Sequence, residues 1–261
     1  MDFLTVLSGF AVGALVGATG VGGGSLMTPL LVLFFGVAPA TAVGTDLLYA
    51  ALTKTGGAWA HARRKNIDWR IVFLLASGSI PAALLTLPVL HVLSVDPQRY
   101  SAVISATLGV ALILTALVLL FRERLRVFAL RRASRTSFLA SALRSPAATV
   151  VTGIALGVLV TVTSVGAGAL GVAALFFLYP GLAAVRIVGT DIAHAVPLTL
   201  VAGLGHAAIG GVDWSLLGNL IVGSLPGVWL GSALSHKLPE RLLSSLLAMM
   251  LMLIGGKLVI L

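Results

Sequence analysis

Val21-Gly22-Gly23-Gly24-Ser25-Leu26 returns as Val165-Gly166-Ala167-Gly168-Ala169-Leu170, and Val43-Gly44-Thr45-Asp46 returns as Val188-Gly189-Thr190-Asp191. Outward from these stretches, His61 matches His206, Asp68-Trp69 matches Asp213-Trp214, and Ser79-Ile80-Pro81 matches Ser224-Leu225-Pro226. Pro97 and Arg99 are echoed by Pro239 and Arg241. The order is the same in both halves, so the chain reads as a tandem duplication. Repeated apolar units interrupted by glycine-rich breaks are the pattern of secondary transporters, whose sites form where the repeats meet.

The medium of this duplication follows from composition. Apolar residues make up 59% of the 261 positions, charged residues only 10%, and there are 30 glycines. Soluble domains carry about a quarter charged residues, so the chain is read as an integral membrane protein. Five apolar segments in the first half, at roughly 3–19, 25–36, 39–60, 70–90 and 99–121, correspond to five in the second, at roughly 147–163, 168–179, 183–208, 214–235 and 240–261. The predicted organisation is a first transmembrane repeat over 1–121, a basic cytoplasmic linker over 122–146 and a second transmembrane repeat over 147–261. The second segment of each repeat is about a dozen residues long, short of the ~20 that a full crossing needs, and is expected to be a half-helix or one arm of a re-entrant hairpin. Met1-Asp2 precedes the first segment without a basic leader, so that segment is expected to persist in the mature protein.

Charge placement gives orientation. Arg63, Arg64, Lys65 and Arg70 follow the third segment, and seven arginines from Arg122 to Arg144 occupy the linker. Both stretches are expected to be cytoplasmic. The equivalent loop of the second repeat, Ala207 to Asp213, has no basic residue. The repeats should therefore face opposite ways, with both termini outside the cytoplasm. The fold class predicted is an all-α membrane protein of about ten transmembrane or half-spanning helices, in two inverted repeats of five whose glycine-broken helices meet near mid-membrane. The formal charge of +9 reports this topology and not a nucleic-acid partner. The linker is read as a basic connector against anionic lipid headgroups, an amphipathic surface helix with a regulatory role being the alternative. With no cysteine in the chain, disulfides, thiolate metal sites and thiol nucleophiles are excluded.

The candidate chemistry lies where the apolar pattern is broken. Glycine costs about 1 kcal/mol per residue relative to alanine in a helix interior, so Gly20 to Gly24 reads as an interruption. The helix that resumes afterwards presents free amides and the positive end of its dipole, which suits a small anion. Gly22, Gly23, Gly24 and Ser25, with Gly166, Gly168 and Ala169 in the second copy, are the predicted substrate-binding backbone, and Thr45 and Thr190 add hydroxyls. Close helix packing is the alternative use of such glycines. Apart from Glu240 at the first position of the last segment, Asp46 and Asp191 are the only acids within the apolar segments. A carboxylate at that depth must pair, face water or take up a proton, and the last would couple transport to protons. A capping or interhelical hydrogen bond is the plain alternative. His194, three residues after Asp191, shares its helix face and could relay protons or simply bond a neighbouring helix. Lys54 lies eight positions after Asp46 and offers either an electrostatic anchor for an anion or a side chain reaching to the membrane surface. Its counterpart is Thr199.

At Val21 to Pro29, at both Gly-Thr-Asp motifs and at His61-Ala-Arg-Arg-Lys-Asn-Ile-Asp-Trp69, the chain resembles the sulfite exporter TauE/SafE family over essentially its whole length. The family's glycine motif falls on Gly20, Gly22, Gly23, Gly24 and Pro29; in the second copy Ala167 replaces a central glycine and no proline matches Pro29. The resemblance implies export of small sulfur-containing anions such as sulfite or organosulfonates across a bacterial inner membrane, without cofactor.

The resulting expectation is a proton-coupled secondary carrier working by alternating access, with a small sulfur-containing anion, protons and membrane lipids as partners. No nucleic acid is expected, and homo-oligomerisation is left open. A passive anion channel would use similar breaks without membrane acids. An intramembrane hydrolase built on Ser25 or Ser164 with His194 or His206 is disfavoured, since no Gly-x-Ser-Gly or His-Glu-x-x-His pattern is present.

Overall fold

The computed structural model describes residues 3–19, 24–133, 145–234 and 240–260. Among them are ten α-helices and no strand. They run Phe3–Thr19 (α1), Gly24–Phe34 (α2), Pro39–Arg63 (α3), Trp69–Leu93 (α4), Pro97–Ala133 (α5), Pro146–Thr163 (α6), Ala169–Leu178 (α7), Ala184–Ala208 (α8), Trp214–Leu234 (α9) and Glu240–Ile260 (α10). By length and composition five stretches among the described residues can cross a membrane: Trp69–Leu93, Pro97–Leu125, Pro146–Thr163, Ala184–Ala208 and Trp214–Gly231. The outer surface is apolar where a soluble protein would be charged, with Phe73, Leu85, Trp229 and Leu253 largely exposed. Such a surface is solvated by lipid chains.

Helix ends follow from local chemistry. Pro39 and Pro146 occupy first-turn positions, where the missing N–H is not needed. The Asp68 carboxylate accepts from Ile71 N at the start of α4, and that of Asp213 accepts from Leu216 N at the start of α9. The short segments emerge as expected: α2 has 11 residues and α7 has 10, each about 15 Å long and so about half the hydrocarbon thickness. At α5 the structure differs from the sequence expectation. The apolar run stops near Phe121, yet the helix continues to Ala133, because arginine, glutamate and leucine are good helix formers once outside the bilayer. Phe128 on this extension meets Phe177 of α7 edge-on, with ring centroids 6.3 Å apart. Residues 134–144 of the expected linker lie outside the described residues.

The four most extensive helix pairings each join the first half of the chain to the second: α1 with α9, α4 with α6, α5 with α10 and α3 with α8. Glycines bring the helices close in all four. Gly9 and Gly13 of α1 lie against the backbone of Leu220 and Ser224, and Gly223 and Gly227 of α9 lie against Val6 and Phe10. The equivalent contacts join Gly153 and Gly157 of α6 to Leu75 and Ser79, and Gly78 of α4 to Val150. Residue numbers rise together in both sets, so α1 runs parallel to α9 and α4 parallel to α6. On α3 and α8 they run oppositely. Gly44 meets His206, Leu48 meets Gly203 and His61 meets Gly189, so these two corresponding helices are antiparallel.

Candidate functional site

The break between α6 and α7 is fully described. Ser164 ends α6 in the left-handed conformation, and Gly166 and Gly168 have φ of +124° and +146°. These are angles that side chains disfavour, so the glycines are required by the turn. The Thr163 hydroxyl accepts from Val165 N at 3.1 Å and donates to Leu159 O at 2.7 Å, pinning the end of α6. Gly171 N and Val172 N donate back to Gly166 O and Gly168 O, while the earlier first-turn amides at Ala169 and Leu170 have no intrahelical acceptor. In the first half, Gly22 and Gly23 lie outside the described residues. Gly24 begins α2, and Ser25 follows it in the helix.

Lys54 reaches this break from the other half of the chain. It is buried, and its ammonium donates to Ala167 O at 2.6 Å. The side chain therefore points inward, not to the membrane surface, and it lies within electrostatic reach of both Asp46 and Asp191. Thr199, its counterpart, donates to Ala195 O on its own helix.

The two acids have different surroundings. Asp46 is fully buried, and its Oδ2 accepts from the Thr28 hydroxyl of α2 at 2.5 Å. The Ser164 hydroxyl approaches the same carboxyl group. Asp191 is 1% exposed and neither carboxyl oxygen has a hydrogen-bond partner. Its Oδ1 lies so close to Gly171 of α7 that a Cβ there would overlap it. By the duplication, Val172 stands where the first half has Thr28, so the donor serving Asp46 has no equivalent beside Asp191.

His194 does not bond Asp191; its Nε2 is 2.8 Å from the Ser79 hydroxyl of α4. Tyr49, at the matching place on α3, approaches Ser224 of α9. Thr45 and Thr190 are placed elsewhere: the Thr45 hydroxyl accepts from Asp213 N at 3.1 Å, and that of Thr190 from Asp68 N at 2.9 Å. Their neighbours Gly44 and Gly189 press on Gly211 and Asn66 of the same turns. Each Gly-Thr-Asp motif thus grips the turn after the long third helix of the other half with its first two residues and directs its third inward. His206 is likewise architectural, with Nε2 2.9 Å from Thr161 O.

The structure therefore brings together Asp46, Lys54, Asp191 and the Ser164–Gly168 break, and turns the Thr45 and Thr190 hydroxyls to the backbone of the opposite half. Sequence reasoning missed Thr28 and Gly171. Their only signal was the mismatch between the two copies of the repeat, Met27-Thr28 against Gly171-Val172. Chemically, the cluster offers one buried cation, two buried carboxyl groups and, at the half-buried start of α7, main-chain donors without intrahelical acceptors.

The model of the family described as Sulfite exporter TauE/SafE matches residues 5–258. The chain is 40% identical over 260 residues to the probable membrane transporter protein YjnA of Bacillus subtilis, covering 99% of this chain and 100% of that protein. It is 30% identical to the probable membrane transporter protein YdhB of the same organism, over 93% and 94% of the two chains. A probable membrane transporter protein of Xylella fastidiosa is 28% identical over 90% of this chain and 85% of its own length. No solved structure matches significantly.

Proposed function

The chain belongs to the TauE/SafE sulfite exporter family, a family of membrane transporters, and from that premise we propose that it carries small sulfur-containing anions such as sulfite or organosulfonates across the bacterial inner membrane, coupled to protons, by alternating access. The observation that carries this reading is the buried contact of Lys54 with the α6–α7 break, beside two membrane carboxyl groups. A cation fixed next to free helix-start amides suits a small oxyanion, and the adjacent acids suit proton exchange. The anion is taken to lie among Gly166, Gly168 and Ala169, with the Gly22–Ser25 segment contributing from the first half.

We read residues 1–121 and 147–261 as two repeats of opposite orientation, joined by a basic cytoplasmic linker and with both termini outside. The antiparallel crossing of α3 and α8, and the parallel pairings α1–α9 and α4–α6, support that topology, because two repeats inserted the same way round would reverse all three relations. Alternating access then consists of one helix group rocking against the other about the fixed cluster.

The test is counterflow in proteoliposomes. Purified protein loaded with unlabelled sulfite or sulfoacetate is expected to accumulate the labelled anion transiently, which a passive channel cannot do. Saturable counterflow stimulated by a pH gradient supports the reading. Linear flux without counterflow, or flux untouched by pH and by both Asp46→Asn and Asp191→Asn, removes it.

A further inference from the structure

We propose that an ionised Asp191 and the cargo anion are alternative occupants of one negative position beside Lys54, so that each anion crosses together with one proton held on Asp191. This rests on the anion-carrier reading above and adds the sign and the carrier of the coupling.

The two acids cannot play the same part. Asp46 receives a hydroxyl donor from Thr28 on Oδ2 at 2.5 Å, within the range of charge-assisted O–H···O⁻ bonds, while its Oδ1 has no partner; in this scheme it is the standing counter-ion to Lys54. Asp191 has no donor on either oxygen and is buried. Its carboxyl group lies over Gly171 in the first turn of α7, where the amides of Ala169 and Leu170 are free of intrahelical acceptors and where Lys54 is held on Ala167 O. An anion seated on those amides would put its charge next to Asp191. With the single ammonium already paired with Asp46, the helix-start amides can offset one further negative charge there, and a second would meet that charge with no cation to screen it.

The other groups facing Asp191 leave the exchange to it. On its own helix α8, His194 is tied to Ser79, and Arg186, at 3.7 Å, pairs with Asp68 near the helix start. From α3 come Lys54 and Asp46, while His61 lies against Gly189 toward the start of α8. Helices α6 and α7 carry no titratable side chain, and α4 carries Arg70 and His91 exposed near its two ends. Anion entry therefore requires a proton on Asp191, and loss of that proton expels the anion. The proton and the anion travel in the same direction. For a monovalent cargo the charge of the cluster is the same loaded and empty, so the cycle is electroneutral.

The experiment uses the full-length protein in proteoliposomes with a trapped pH dye and methanesulfonate, a monovalent organosulfonate whose charge is constant from mildly acidic to mildly alkaline pH, alongside sulfite. In the wild type, methanesulfonate affinity is expected to weaken by up to about tenfold per pH unit on the alkaline side. An imposed anion gradient should carry protons the same way. In Asp191→Asn the residual exchange no longer varies with pH and anion-driven proton movement is lost. Protons moving against the anion, wild-type affinity independent of pH, or proton movement surviving in Asp191→Asn would each overturn the proposal. If that variant does not fold, the two wild-type measurements decide alone. Absence of counterflow for both anions overturns the carrier reading and this one with it, whereas counterflow whose pH dependence survives in Asp191→Asn overturns only this one.

Discussion

Thr28 and Val172 occupy equivalent places in the duplication, and the difference between a hydroxyl and a methyl there leaves one membrane carboxyl group bonded and the other bare. The bare one depends on the absence of a side chain at Gly171. Gly171→Ala drives a methyl into Asp191 Oδ1 and is expected to abolish transport while lowering stability by about 1 to 3 kcal/mol, read by counterflow and by thermal unfolding in detergent. A variant that transports normally would show that the carboxyl group can move aside without consequence. Asp46, Asp191 and Lys54 were legible in the sequence because a charge in an apolar run is conspicuous. Their division of roles was not, since it depends on Thr28, Ser164 and Gly171 arriving from other helices. The same limit applies to Thr45 and Thr190: their hydroxyls were expected beside the anion, and their hold on turns of the opposite half was not legible.

At the scale of the helix, small residues decide how near two backbones come. Gly78 of α4 faces Val150 O of α6 with no room for a Cβ, whereas nothing lies within 4 Å of the Cβ position at Gly56 of α3. Gly78→Val is therefore expected to separate α4 from α6 and to destabilise the protein by at least about 1 to 3 kcal/mol. Gly56→Ala is expected to be neutral or to stabilise by about 0.5 to 1 kcal/mol through helix propensity. Unfolding midpoints of the two purified variants check both signs. The short α2 and α7 were legible from hydropathy and glycine placement. The continuation of α5 to Ala133 was not, because loss of apolarity marks the membrane boundary and leaves helix propensity intact.

Over the whole molecule, the main partner of α1 is α9 and that of α4 is α6, with α3 on α8 and α5 on α10 completing the set. Each half buries its helices chiefly against the other, so neither half has a complete core of its own. Residues 1–133 and 145–261 expressed from separate messages are expected to reconstitute counterflow when produced together and to be degraded when produced singly. Survival of either half alone as a stable, monodisperse species would contradict this. The duplication was visible in the sequence, but the exchange of partners across it was not, since repeats packed side by side and repeats interleaved share the same motif spacing. This interleaving also bears on how the protein is made. A ribosome delivers α1 first and reaches α9 only after most of the message has been read, an interval of roughly ten to forty seconds at ordinary elongation rates. Throughout it the glycine face of α1 waits in the bilayer without its mate, so the nascent protein depends on a lipid or an insertion factor to shelter that face until synthesis is nearly done.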